Sequence, residues 1–210
     1  REVEALYLAS VERAEGYIYI ENQYFTAGRV AAALAESLER DSGPEVVLVL
    51  PQENWDWLEQ ATMSDRRAKL IAALRRADRH GRLRVLCPLH RDVSIHVHAK
   101  LMISDDRLVR IGSANLSNRS MGLDSECDIA FEAEDGGAVR HLLARLVGEH
   151  TGAGADEVEA AVERTGSLVQ AIDELDGQAR RLAPIEIGET VLAEDAGLVA
   201  SSQSIVDPEA

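Results

Sequence analysis

Apolar residues recur along the first half of the chain in two alternating rhythms. Val3, Leu6, Tyr7 and Val11 follow helical spacing across residues 2–15. Residues 17–21 (YIYIE) form a short β-rich run, and Asn22-Gln23 breaks it. Val30, Leu34 and Leu38 fall one turn apart, which predicts a helix over 28–40 packed on a sheet. Gly43-Pro44 punctuates the chain, and residues 46–50 (VVLVL) are then apolar on both faces, as a central parallel strand requires. Residues 51–63 read as a loop carrying Trp55 and Trp57. Leu70, Ile71, Leu74 and Ala77 mark a long helix ending near Gly81, and 83–87 is a further strand.

Three strand-like runs follow in close order, at 95–103, 107–112 and 127–132. Val139, Leu142, Leu143 and Leu146 mark another helix, and shorter helical patterns cover 155–164 and 167–176. This order predicts an α/β fold: a mixed β-sheet sandwiched between helices, with short helices at the C-terminal end. The expected organisation is one domain over 1–150, a helical extension of it over 151–182, and a loose acidic tail over 183–210.

Charge sharpens this division. The net charge is −15, with 24 acids against 19 bases in residues 1–150 and 13 against 3 in 151–210. Nucleic-acid binders usually carry a basic footprint, because phosphate contacts dominate their affinity. Nucleic acid is therefore disfavoured as a partner. No apolar run approaches the roughly 20 residues of a membrane-spanning helix, and no signal peptide is visible. A cytoplasmic or membrane-associated location is expected. The two cysteines, Cys87 and Cys127, lie in apolar contexts and are expected to be buried, reduced thiols; no Cys/His cluster has metal-ligand spacing.

The candidate chemistry lies in Ile95-His96-Val97-His98-Ala99-Lys100-Leu101-Met102-Ile103. Strand alternation puts His96, His98, Lys100 and Met102 on one face and the apolar residues on the other. An imidazole and an ammonium then stand side by side, about 7 Å apart along the strand. A lysine on a sheet is costly to bury unless an anion meets it, which points to a phosphate-like substrate. Downstream, Gly112 lets the backbone approach a ligand, and Ser113 and Asn115 offer neutral hydrogen bonds to phosphate oxygens. Asp105 opens a hairpin, where its carboxylate could cap backbone amides or pair with Arg107. Glu126 could accept from one imidazole nitrogen and leave the other free to react. Asn22 and Gln23, at the end of a strand, either line the site or make a turn. Trp55 and Trp57 either pack over the core or grip an acyl chain or a membrane surface.

Together these residues resemble the phospholipase D superfamily, whose signature is His-x-Lys-x4-Asp, six further residues, then Gly-Ser-x-Asn. His98, Lys100, Asp105, Gly112, Ser113 and Asn115 match at every spacing. Six fixed residues at fixed spacing arise by chance at roughly 10⁻⁷ per start position. The run 17–25 (YIYIENQYF) also looks like the segment before the second signature of two-copy members, and Glu126 stands where the family places its histidine-orienting acid.

The resemblance covers about residues 1–150, and implies a half-domain supplying one half of an active site. It implies a phosphodiesterase that hydrolyses or transfers the phosphatidyl group of phospholipids through a phosphohistidine. Catalysis would fall to His98, Lys100, Asp105, Ser113, Asn115 and Glu126, and substrate binding to Gly112, Asn22, Gln23 and Trp55, without metal or cofactor. His98 would be either the nucleophile or the general acid.

None of the six histidines supplies a second His-x-Lys. A second signature-bearing half is thus expected as partner, either upstream in a longer parent, as a first residue of Arg1 favours, or in a homodimer mate. Two other readings stay open: a homodimeric phosphodiesterase acting as a nuclease, and a non-catalytic half-domain for lipid binding or assembly.

Overall fold

A computed structural model describes residues 1–52, 57–175, 177 and 179–187, with the side chains of 57–63 excepted. Its elements run α1 (Glu2–Arg13), β1 (Tyr17–Asn22), α2 (Gly28–Glu39), β2 (Glu45–Val49), α3 (Trp57–Ala77), β3 (Leu83–His90), β4 (Val93–Ser94), β5 (Lys100–Ser104) and β6 (Leu108–Gly112). There follow α4 (Asn118–Gly122), β7 (Asp128–Glu132), α5 (Gly137–Thr151), α6 (Ala155–Thr165), α7 (Leu168–Glu174) and β8 (Arg180–Pro184). The strands form one mixed sheet in the order β4-β3-β2-β1-β5-β6-β7, with β8 also paired to β3.

Two kinds of connection explain that order. Helices α2 and α3 carry the chain back over the sheet, so β1, β2 and β3 are parallel. From β5 onward no helix packs across the sheet between strands: a tight hairpin joins β5 to β6, and a loop with the short α4 joins β6 to β7. Strands β5, β6 and β7 are antiparallel. β5 also lies antiparallel to β1, which joins the two halves of the sheet. Alternation along each strand builds two cores. Ile18, Ile20, Val46, Leu48, Val85 and Met102 face α1, α2 and α3. Tyr19, Val47, Val49, Leu101, Ile103 and Val109 face α5, α6 and α7. The sheet is therefore sandwiched between helices, as the hydrophobic pattern predicts.

The structure departs from the sequence-based expectation in four places. β5 begins at Lys100, not at residue 95, because β1 ends at Asn22 opposite it and β6 ends at Gly112. Beyond Ile95, whose amide bonds to the Pro88 carbonyl at 2.9 Å, the segment to residue 99 continues the alternation outside the sheet, with Val97 buried and His98 exposed. Helix α3 begins at Trp57, inside the segment expected to be a loop, while Trp55 lies outside the described residues. The tail expected to start at 183 is packed further on: β8 runs to Pro184 and Ile185 is buried, its amide bonded to the Val85 carbonyl at 3.0 Å. Residues 188–210 lie outside the described residues. Cys87 is buried as expected, but Cys127 is exposed, because it precedes an edge strand whose outer face no helix covers.

Asp105 turns the β5–β6 hairpin with a positive φ of 54°, a conformation that aspartate tolerates. Its carboxylate accepts hydrogen bonds from the backbone amides of Glu15 (3.2 Å), Gly16 (2.8 Å) and Tyr17 (3.0 Å). It thereby fastens the α1–β1 turn to the hairpin. Asp105→Ala is expected to cost about 1–3 kcal/mol, since three amides lose their acceptor, and Asp105→Asn less. Urea unfolding checks this. A denaturation midpoint unchanged in Asp105→Ala would show that water replaces the carboxylate without loss.

Candidate active site

The sheet register gathers most of the sequence-predicted residues at one end. Lys100 is the Cα partner of Asn22, and Gly112 that of Asp128. Because Leu101 pairs with Ile111, Lys100 also lies across from Gly112. The start of β5 therefore meets the ends of β1 and β6 and the start of β7. Around this point stand His98, Lys100, Asn22, Gln23, Gly112, Ser113, Asn115 and Glu126. Asp105 does not join them: five residues along β5, it is about 17 Å away at the opposite end of the sheet. Its acceptor role in the α1–β1 turn accounts for it, and the expectation that it takes part in catalysis is corrected accordingly.

Lys100 is half-buried. Its ammonium donates to Gln23 Oε1 at 3.2 Å and to the His98 carbonyl at 3.0 Å. Burial lowers its pKa and nearby Arg110 lowers it further, while the Glu126 carboxylate pulls it back up. His98 projects past the sheet edge. Its ring stacks on that of His96, with centroids 6.1 Å apart and planes at 25°. The charge on Lys100, more than burial or His96, holds the His98 pKa below the ordinary histidine value. The Lys100 charge thus favours the neutral form of the exposed imidazole beside it, and among the described residues the ammonium hydrogen-bonds only to neutral acceptors.

The Gly112–Asn115 loop is held mainly through its backbone. Ser113 donates its amide to the Cys127 carbonyl at 3.1 Å, and its hydroxyl accepts from the Cys127 amide at 2.9 Å. That hydroxyl donates in turn to Glu126, which therefore contacts Ser113 where the sequence reading had it orienting an imidazole. The Asn115 amide bonds to Ser120 Oγ at 3.2 Å, and its side-chain Oδ1 is buried with no partner among the described residues. Asn22 is fully buried and its Oδ1 accepts from the amides of Tyr24 and Leu116, both at 3.1 Å. Of the two readings for Asn22 and Gln23, Asn22 takes the turn role and Gln23 reaches the site.

Gly112 has a reason other than ligand approach. A Cβ there would lie 1.7 Å from an Asp128 carboxylate oxygen. That carboxylate pairs with Arg110 at 2.5 Å, and the guanidinium is 1% exposed. Sequence reasoning missed this pair. The available signal was an arginine inside the apolar run Leu108-Val109-Arg110-Ile111, since a charge on a buried strand needs a partner. It also missed a second buried cluster on the opposite face, where Glu21 Oε1 accepts from Tyr19 Oη at 2.7 Å and lies 3.1 Å from His150 Nε2. Among the described residues no group of three His, Cys, Asp or Glu side chains could hold a metal ion, and no helix is long and apolar enough to cross a membrane.

A family model described as "Cardiolipin synthase, PLD-like domain" matches residues 7–146, well over half of the chain. A phospholipase D of Phytophthora infestans is 27% identical over 228 aligned positions, covering 81% of this chain and 12% of that protein. Phospholipase D zeta 2 of Arabidopsis thaliana is 30% identical over 176 positions, covering 61% of this chain and 16% of that protein. This chain thus spans less than a fifth of the length of either relative. The phosphatidylserine synthase of Haemophilus influenzae Rd KW20 shares the fold, at 20% identity and a TM-score of 0.50, covering 70% of this chain and 34% of that one. With five of the six signature residues at one end of such a sheet and the family model matching residues 7–146, the chain belongs to the phospholipase D superfamily.

Proposed function

We propose that this chain supplies one half of the active site of a phospholipase D-type phosphodiesterase, with phospholipid as substrate. The carrying observation is the exposed His98 imidazole beside the Lys100 ammonium, whose charge favours the neutral ring. That arrangement suits a substrate with an anionic phosphodiester and a reaction that begins with nitrogen attack on phosphorus. His98 attacks with its lone pair, the bond from phosphorus to the leaving alkoxide breaks, and a phosphohistidine forms. A second imidazole, from the other half, donates the proton that the alcohol leaves with. Water or another alcohol then attacks phosphorus, gives its proton to that imidazole and releases His98, giving hydrolysis or headgroup exchange. Lys100, Ser113 and Asn115 stabilise the charge on the equatorial oxygens, and the unpartnered Asn115 Oδ1 marks where an amide can turn to meet a ligand.

The second half is supported by two features. A single signature provides one imidazole of the two. Beside the site, Ile111, Ile129 and Phe131 on β6 and β7 are 47%, 70% and 47% exposed, and Ile111 pairs directly with Ile129. Such a contiguous apolar strip marks a surface that another protein surface covers. The phospholipid preference draws on relatives named phospholipase D and on an acidic chain that disfavours polyanions.

The defining assay is sedimentation of the purified chain alongside hydrolysis of phosphatidylcholine and bis-p-nitrophenyl phosphate, with His98→Ala as control. A dimer with His98-dependent turnover, or an inactive monomer that gains turnover when the other half is supplied, is expected. Turnover surviving in His98→Ala would defeat the proposal, and His98-dependent cleavage of DNA but not lipid would replace the substrate class. A second prediction concerns protonation. The lysine charge favours neutral His98, so removing it must raise the His98 pKa. In an NMR titration, Lys100→Met is expected to move the His98 midpoint upward; an unmoved midpoint would break the electrostatic link between the two residues.

A further inference from the structure

The Arg110–Asp128 pair does not touch the solvent side of the site, yet it touches the backbone of both signature segments. Arg110 Nη1 donates to Tyr7 Oη at 2.6 Å and to the Lys100 carbonyl at 3.1 Å. Nη2 donates to the Ala114 carbonyl at 3.2 Å and to Asp128 Oδ2 at 2.5 Å. The other Asp128 oxygen accepts from the Ala114 amide at 3.3 Å. Both polar backbone groups of Ala114 are therefore taken by this one ion pair, and Ala114 sits between Ser113 and Asn115. The Tyr7 ring lies under the guanidinium, whose central carbon is 4.7 Å from the ring centroid.

We propose that Arg110 and Asp128 are positioning residues for phosphate binding, a bracket that sets Lys100 at a fixed distance from Ser113 and Asn115. The proposal rests on the site reading above and extends it to two residues outside the signature. Stability alone does not account for the pair. Burying two charges is costly, and an apolar pair of similar volume often does as well or better. What an apolar pair cannot do is grip one carbonyl on β5 and two backbone groups in the Gly112–Asn115 loop at once. The planar guanidinium forks to the two carbonyls, of Lys100 and Ala114, as a lysine cannot, while the Asp128 carboxylate accepts from the Ala114 amide. Gly112 follows from the same arrangement, since the space its Cβ would need is filled by the Asp128 carboxylate.

The test compares Arg110→Met/Asp128→Ala, Arg110→Lys and Lys100→Ala with wild type. The readouts are thermal unfolding, amide hydrogen exchange across 112–116, and binding of inorganic phosphate by calorimetry. The double variant is expected to melt below wild type, since the Tyr7 hydroxyl, the Lys100 carbonyl and both backbone groups of Ala114 lose their partners. It should exchange faster at Ala114 and bind phosphate about tenfold or more weakly, as misplaced groups do. Arg110→Lys keeps the charge and loses the fork, and is expected to bind phosphate no better than the double variant. Wild-type exchange at 112–116 in the double variant, or full phosphate affinity in Arg110→Lys, would overturn the bracket. If Lys100→Ala binds phosphate as tightly as wild type, the site reading itself fails, while the exchange rates still decide whether Arg110 and Asp128 hold the loop. Should the double variant not fold, Arg110→Lys alone carries the decision by the same two readouts.

Discussion

Strand β5 runs antiparallel to both of its neighbours, and its register is the constraint on which the rest of the site depends. Lys100 opens the strand where β1 closes at Asn22 and β6 closes at Gly112. A shift of one residue would turn Lys100 toward the opposite face and bring Leu101 opposite Asn22, because side chains alternate with a period of two. The register is held by the two cores: Met102 belongs to the layer under α1–α3, and Leu101 and Ile103 to the layer under α5–α7. Hydrophobic burial on both faces thus specifies where a charged residue stands.

The two ends of β5 do different work. At its start, His98 and Lys100 meet the Gly112–Asn115 loop. At its finish, Asp105 binds three amides of the α1–β1 turn and belongs to the scaffold. A signature that reads as one motif in one dimension therefore divides into a chemical part and a structural part. The division follows from strand geometry, since five residues of extended chain span more than half the width of a small domain.

Electrostatics at the site run against the chain as a whole. The chain carries a net charge of −15, yet Lys100 and Arg110 lie close together behind His98, with Asp128 and Glu126 as the acids nearest to them. Arg110 is neutralised by Asp128 in a buried pair. Lys100 is left with an amide oxygen and a carbonyl, neutral acceptors that an anion can displace. The local arrangement thus offers a cation with displaceable neutral partners inside a chain whose net charge is negative.

Much of this was legible in the order of residues. Helical spacing at Val30, Leu34 and Leu38, the doubly apolar run at 46–50, and the His98–Asn115 spacing each read correctly, because they depend on local periodicity. The limits of β5 did not, since a strand ends where its neighbours end, and neighbours are chosen by the whole chain. The partner of Glu126 was likewise decided in three dimensions, where Ser113 lies nearer than either imidazole. Arg110 and Asp128 stand 18 residues apart, and nothing local ties one to the other. By itself the sequence determined the fold class, written in patterns of period 2 and 3.6, and the signature, written in residue spacing. Only the tertiary structure decided which charge meets which backbone group, because buried polar atoms take the partners that packing brings within about 3 Å.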